Sequence, residues 1–230
     1  MGYPENPNTI VIKNKLYPRG ITELMIWDYY QKVKGPLLNA VSNRDLMFFI
    51  MVEMNKPIIR RKLQGKFIRL YNSNYDQIIT GRTVSIHSAM SSYENIGIID
   101  IDIHPSDGFA WAKKVTSQVY EYVMDKMPIV DTAQIRFTGK QSFHIVCNFN
   151  QKIKIDTIRF LLQKFLRQSD LARVYTIEGK RRAGIPNLDL APNKIKGNFI
   201  SLHSLSVWGL RCMEVPYTKL RSFDPSKAKI

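Results

Sequence analysis

A chain of 230 residues, 44% hydrophobic and 11% aromatic, is long enough to bury one sizeable core, and its net charge of +15 points to a polyanionic partner. No apolar run approaches the roughly 20 residues of a membrane span, and the first residues have neither the basic start nor the apolar block of a secretory leader. Cys147 and Cys212 stand alone, which excludes a cysteine-rich zinc site and suits an intracellular protein with nucleic acid as its first candidate ligand.

Residues 21–42 open with Thr22 and Glu23 and carry helical apolar spacing, with a break expected at Gly35-Pro36. Strand-like runs follow at 46–52, 67–71 and 82–88. The stretch from Lys56 to Arg69 is basic, with Lys56, Arg60, Arg61, Lys62, Lys66 and Arg69, and Phe67 and Tyr71 interleaved or adjacent. Basic groups track phosphates and aromatics stack on unpaired bases. The competing reading is a solvated strand pair whose aromatics serve the core.

The run IGIIDIDIHP, Ile96 to Pro105, reads as a buried strand that ends in two acids, Asp100 and Asp102, and stops at a proline. Alternate strand residues share a face roughly 6.5–7 Å apart, so the two carboxylates can share divalent cations. Left bare they would repel each other. Metal binding and simple solvation of a strand end are the two readings. A helix follows, with Ser106 or Asp107 as cap and Trp111, Val115, Val119 and Val123 as an i, i+4 stripe ending before Pro128.

Strands at 134–138 and 142–149 flank Gly139-Lys140, a hairpin-like bend. Its turn amides, Lys140 and the hydroxyls of Thr138 and Ser142 suit a phosphate group. His144 shares a strand face with Ser142; an ordinary hairpin with one buried histidine is the alternative. An amphipathic helix covers 156–168, and strands are expected at 187–190 and 198–205. The first holds Asp189 between Leu188 and Leu190, and the second carries Ser201 and His203 at strand spacing. Asp100, Asp102 and Asp189 would form the three-carboxylate, hard-oxygen set that Mg2+ or Mn2+ prefers. Two such ions can activate a hydroxyl and stabilise a leaving oxygen. The irregular interleaving of elements predicts an α+β fold, a mixed or antiparallel sheet core with flanking helices. The expected organisation is a single domain over 1–230, its helical segment 1–45 packed on a 46–230 core.

In this order, the D-x-D strand, the small-residue turn leading to S-x-H and the isolated third acid resemble the archaeo-eukaryotic primase superfamily. KLYPRGITELMIWDYY, from Lys15 to Tyr30, and SIHS around His87 are similar to segments of the polymerase domain of bacterial and archaeal end-joining DNA ligases. ISLHSLSVWGLR, from Ile200 to Arg211, is closer to archaeal primase small subunits. The resemblance spans about residues 8–220. It implies an RRM-like catalytic core in which Asp100, Asp102 and Asp189 hold two catalytic metal ions, Mn2+ or Mg2+. It gives Ser142 and His144 the incoming nucleotide's triphosphate, helped by Thr138 and Lys140, and sets His87 against the nucleotide. Ser201 and His203 line its triphosphate or sugar side.

The implied activity is template-dependent polymerisation that extends or fills primer–template ends in end-joining repair. Its substrates are DNA with a 5′-phosphate and NTP or dNTP, its DNA contacts Lys56, Arg60, Arg61, Lys62, Lys66 and Phe67, and its partner a ligase or a DNA-end-binding protein. Two departures stand out. Pro192 occupies the position where those polymerases carry an arginine, with Lys194 and Lys196 following, and two isolated cysteines cannot build the cysteine-rich zinc knuckle of primase subunits. A primase that starts strands de novo, a metal-dependent nuclease and a catalytically silent nucleic-acid-binding module are the other readings.

Overall fold

A computed structural model describes residues 3–180 and 182–230. The chain forms two compact units, one built from residues up to Ala89 with 200–213 and 225–230, the other from 90–199 with 214–224.

In the first unit, β1 (Ile10–Asn14) and β2 (Tyr17–Thr22) pair as an antiparallel hairpin in which Ile12 and Ile21 face each other, fully buried. The hydroxyl of Thr22 accepts from Met25 N (3.3 Å) and starts α1 (Glu23–Lys32). The helix breaks at Val33 rather than at Gly35-Pro36, and α2 (Lys34–Ala40) follows directly. Pro36 fits there because the first turn of a helix has no intrahelical acceptor for its N–H groups. Next come β3 (Leu46–Glu53), β4 (Lys56–Arg60), β5 (Lys62–Leu63), β6 (Lys66–Phe67), α3 (Tyr75–Ile78) and β7 (Thr83–Ala89). β3 lies between β4 and β7, antiparallel to both, and β5 and β6 make a small separate hairpin. The strand expected at 67–71 is cut short. Ile68 makes only an isolated bridge to Leu46, and Tyr71 N turns to the side chain of Asn74 (2.8 Å).

The second unit contains β8 (Tyr93–Asp102), α4 (Gly108–Lys126), β9 (Thr132–Phe137), β10 (Phe143–Lys154), α5 (Ile155–Gln168), α6 (Leu171–Val174), β11 (Thr176–Ile177), β12 (Asn187–Asp189) and α7 (Tyr217–Leu220), while β13 (Asn198–Ile200) and β14 (Met213–Glu214) each run across a unit boundary. Its sheet runs β11–β12–β8–β10–β9–β14; the β12–β8, β8–β10 and β10–β9 pairs are antiparallel and the β11–β12 pair is parallel. The result is the expected α+β class.

One face of this sheet is apolar because alternate residues of a strand share a side. Ile99, Ile101, Ile145, Phe143 and Phe137 are all fully buried. α4 covers that face with Ala112, Val115, Val119 and Val123, and α5 with Ile155, Ile158, Leu162 and Leu166. Phe109 stacks on Phe143 at 5.5 Å, and Phe223 joins the cluster 5.2 Å from Phe137. Gly97 allows α5 to lie this close, since a Cβ there would sit 2.8 Å from Ile158 and 2.9 Å from Leu162. Asp107 precedes α4 but does not cap it; its carboxylate accepts from Gly184 N instead (3.0 and 3.1 Å). Among the described residues no helix is long and apolar enough to cross a membrane.

Candidate active site

The opposite face of the same sheet carries the polar residues. Strand register aligns Asp189 of β12 with Asp100 of β8, Asp100 with His144 of β10, and His144 with Arg136 of β9. A single lateral row therefore reads carboxylate, carboxylate, imidazole, guanidinium across four adjacent strands. Directly opposed residues of antiparallel strands have Cβ atoms about 4.5–5.5 Å apart, so this row is a chain of neighbours. Asp102 lies two residues along β8 on the same face, opposite Asn187.

Asp100, Asp102 and Asp189 each offer a carboxylate oxygen, and these atoms all lie within 4.8 Å of one another. All three acids are half-buried. Three carboxylates this close repel unless a cation or proton offsets their charge. Oxygen-only donors with access to water suit a hard divalent ion such as Mg2+ or Mn2+, so the residues present fit the metals that the resemblance implies.

Local structure holds each group. β8 delivers two acids because Ile99 and Ile101 anchor the intervening positions in the core, and Pro105 ends the strand behind them. Asp189 accepts from Ala191 N at 2.8 Å, a turn contact that orients its carboxylate. His144 is buried, and its Nε2 stands 3.5 Å from an oxygen of Asp100, a neighbour that the resemblance does not assign to it. The Thr138 hydroxyl donates to Ser142 O (3.0 Å) and Thr138 N to the same oxygen (3.1 Å), which closes the turn around Gly139 and exposed Lys140.

The remaining expected nucleotide contacts belong to the first unit. His87 on β7 faces Met47 in register, meets the ring of Phe49 at 4.9 Å and shares a 3.0 Å hydrogen bond with the Ser85 hydroxyl. Dense surroundings pull its pKa down to about 4, so it is neutral at neutral pH. Ser201 is buried, its hydroxyl 2.9 Å from that of Ser88. The strand expected over 198–205 ends at Ile200. A turn follows, closed by Ser204 N to Ser201 O (3.0 Å), with His203 at φ 65°. Ser201 and His203 therefore do not share a strand face; the alternation of small and apolar residues imitates strand periodicity in a turn.

The basic stretch is also in the first unit. Every residue of β4, β5 and β6 is exposed, so Lys56, Arg60, Lys62, Lys66 and Phe67 all face solvent. Lys56 pairs with Glu53 (2.6 Å), Lys62 lies 5.2 Å over the Phe67 ring, and Arg61 reaches Met47 Sδ (3.2 Å). Both cysteines are buried and outside any disulfide, and burial pushes the thiol of Cys147 up to about 12. The sequence reading misses Arg136, although it stands two residues before Thr138 and so on the same strand face, and Asn193, which reads simply as a loop residue.

Neither a protein-family model nor a curated protein sequence matches this chain. Among solved structures, the polymerase domain of Mycobacterium tuberculosis Ligase D, in complex with DNA, is similar with a TM-score of 0.74. The match covers 98% of this chain and 90% of that one, at 14% sequence identity. The fold is thus the one that the order of motifs anticipates.

Proposed function

We propose that the protein is a template-dependent nucleotidyltransferase that extends or fills primer–template ends of the kind met in end joining, using Mn2+ or Mg2+. The observation that carries this reading is the three-carboxylate cluster, placed in register beside His144, within the fold of a DNA-bound polymerase domain. When bound at such a cluster, divalent ions make a hydroxyl a better nucleophile and offset the charge of a departing pyrophosphate.

The chain's own residues divide the remaining work by position. Asp100, Asp102 and Asp189 would hold the ions at the β12–β8 end of the row. The row turns from anionic to cationic toward β9, which suits a triphosphate lying over β10 with Ser142, His144, Thr138 and Lys140 as its contacts. Attack of a primer 3′-hydroxyl on the α-phosphorus is chiefly a matter of positioning and charge neutralisation, so this set needs no covalent nucleophile. His87, Ser201 and His203 are assigned to the nucleotide, with His87 acting as a neutral hydrogen-bonding group. Lys56, Arg60, Arg61, Lys62, Lys66 and Phe67 are assigned to DNA. A ligase or an end-binding protein fits as partner.

Extension of a labelled primer across a gap with a 5′-phosphate, with Mn2+, tests the reading by comparing wild type with Asp100→Ala. Templated addition by the wild type, with a loss of at least about a hundredfold in the variant, is the expected result. Salt-sensitive DNA binding by both proteins without any addition would leave a binding module, and release of cut fragments would make the cluster a nuclease centre.

A further inference from the structure

β12 stops at Asp189, yet β8 continues past it toward its own start, where Ile98 is fully buried with backbone groups directed to the side that β12 has left. An unpaired buried amide is costly, so something must take the strand's place. One side chain does. Asn193, fully buried, accepts from Ile98 N through Oδ1 (2.7 Å) and donates from Nδ2 to Ile98 O (2.5 Å). The same Nδ2 donates to Leu190 O (3.1 Å), and Asn193 N donates to that carbonyl as well (2.9 Å).

A carboxamide has the donor and acceptor of a peptide unit, so Asn193 supplies one more rung of sheet after the backbone has turned away. The turn it closes, 190–193, is the one in which Ala191 N holds the Asp189 carboxylate. Beyond it the loop is fixed again. Gly197 O accepts from Met90 N (2.8 Å), and a Cβ on Gly197 would meet Pro192 O at 2.1 Å. Aspartate in place of Asn193 would keep the acceptor for Ile98 N–H but turn an oxygen toward two carbonyls; alanine would lose all three side-chain bonds.

We infer that Asn193 is a positioning residue for the metal cluster: by pinning the turn after Asp189 to β8, it keeps the third carboxylate within reach of Asp100 and Asp102. The inference rests on the metal-binding part of the proposed function and not on the reaction itself. Groups behind a ligand typically change metal affinity about 10- to 100-fold when removed.

The test is Mn2+ binding to the protein without nucleotide or DNA, followed by the electron paramagnetic resonance of free Mn2+. Wild type is compared with Asn193→Ala, Asn193→Asp and the milder Asn193→Ser, with circular dichroism and gapped-DNA binding measured alongside. Folded variants that keep wild-type DNA affinity and lose tenfold or more in Mn2+ affinity are expected. In primer extension, kcat should fall with KM for gapped DNA unchanged. A folded variant with wild-type Mn2+ affinity overturns the inference. So does failure of all three variants to fold, which would make Asn193 a folding residue, and so does a wild type that binds no Mn2+. A wild type that binds Mn2+ but adds no nucleotide would remove the polymerase reading and leave this result standing.

Discussion

The acid end of β8 and the basic strands β4 to β6 carry the two opposite charges of the proposed chemistry, and the chain builds them in opposite ways. Asp100, Asp189 and His144 are aligned by the register of three paired strands whose other face is buried under two helices. Slipping one strand by a single residue would turn its polar set into the core, so the core face enforces the geometry of the site. The basic strands have no such enforcement. All residues of β4, β5 and β6 are exposed, and the charges sit on long side chains with many rotamers. Metal ions need fixed oxygens a few ångströms apart, whereas a phosphate backbone needs only positive charge nearby. Precision is spent where the chemistry requires it.

The largest effect that separates the two regions should come from the core face beneath the acids. Phe143 is fully buried, is flanked in sequence by the site residues Ser142 and His144, and packs on Phe109, Phe137 and Phe223. Phe143→Ala should lower unfolding free energy by about 3–5 kcal/mol, read by urea denaturation. Truncating exposed Ile59 on β4 should cost less than about 0.5 kcal/mol. Equal costs at the two positions would break the contrast.

His87 of the first unit, unlike the basic strands, is a titratable group held in a dense setting rather than in water. Its folded pKa of about 4 lies below its ordinary value of 6.5. Between those values the unfolded chain binds the proton and the folded chain does not, so stability rises with pH across that window. The contribution is fully present above pH 6.5 and is lost as pH falls toward 4. It amounts to at most about 3 kcal/mol. Urea denaturation from pH 7 to pH 4 should show this loss in the wild type. His87→Phe should show a correspondingly flatter profile, and parallel profiles would mean that the imidazole is charged or exposed in the folded protein.

The legible parts of the site are those with a local signal. Asp100 and Asp102 are readable because two acids in an otherwise apolar strand break its pattern, and Asp189 because apolar residues flank it. The α5 helix and β10 follow from simple periodicity. What binds these parts together is not local. The register that sets Asp189 opposite Asp100 joins strands separated by most of the second unit, and no residue type announces it. Asn193 is invisible for a related reason: after a proline it reads as a turn former, while its role depends on the unpaired backbone of Ile98, far away in the chain. The β1–β2 hairpin escapes because Gly, Pro and Asn interrupt it, and β4 is legible only within the competing reading of a solvated basic strand pair, because a strand exposed on both faces lacks alternation.

The smallest expected effect tests the basic strands directly. Lys62 faces Phe67 across the β5–β6 hairpin, its ammonium 5.2 Å over the ring. An exposed cation–π contact of this kind contributes about 0.5–1 kcal/mol at most, so it directs the lysine without fixing it. If Lys62 neutralises one phosphate, Lys62→Ala should reduce the slope of log affinity against log salt by about 0.9 for duplex or 0.7 for single-stranded DNA. Binding should weaken by a similar factor for every sequence tried, because phosphates carry no sequence information. Stability should hardly change, since neither side chain is buried. An unaltered salt slope would remove the β5–β6 hairpin from the DNA surface and leave its charge as ordinary solvation. A slope reduced together with a large loss of stability would mean that the hairpin is a built element after all, and the contrast with the acid end would narrow.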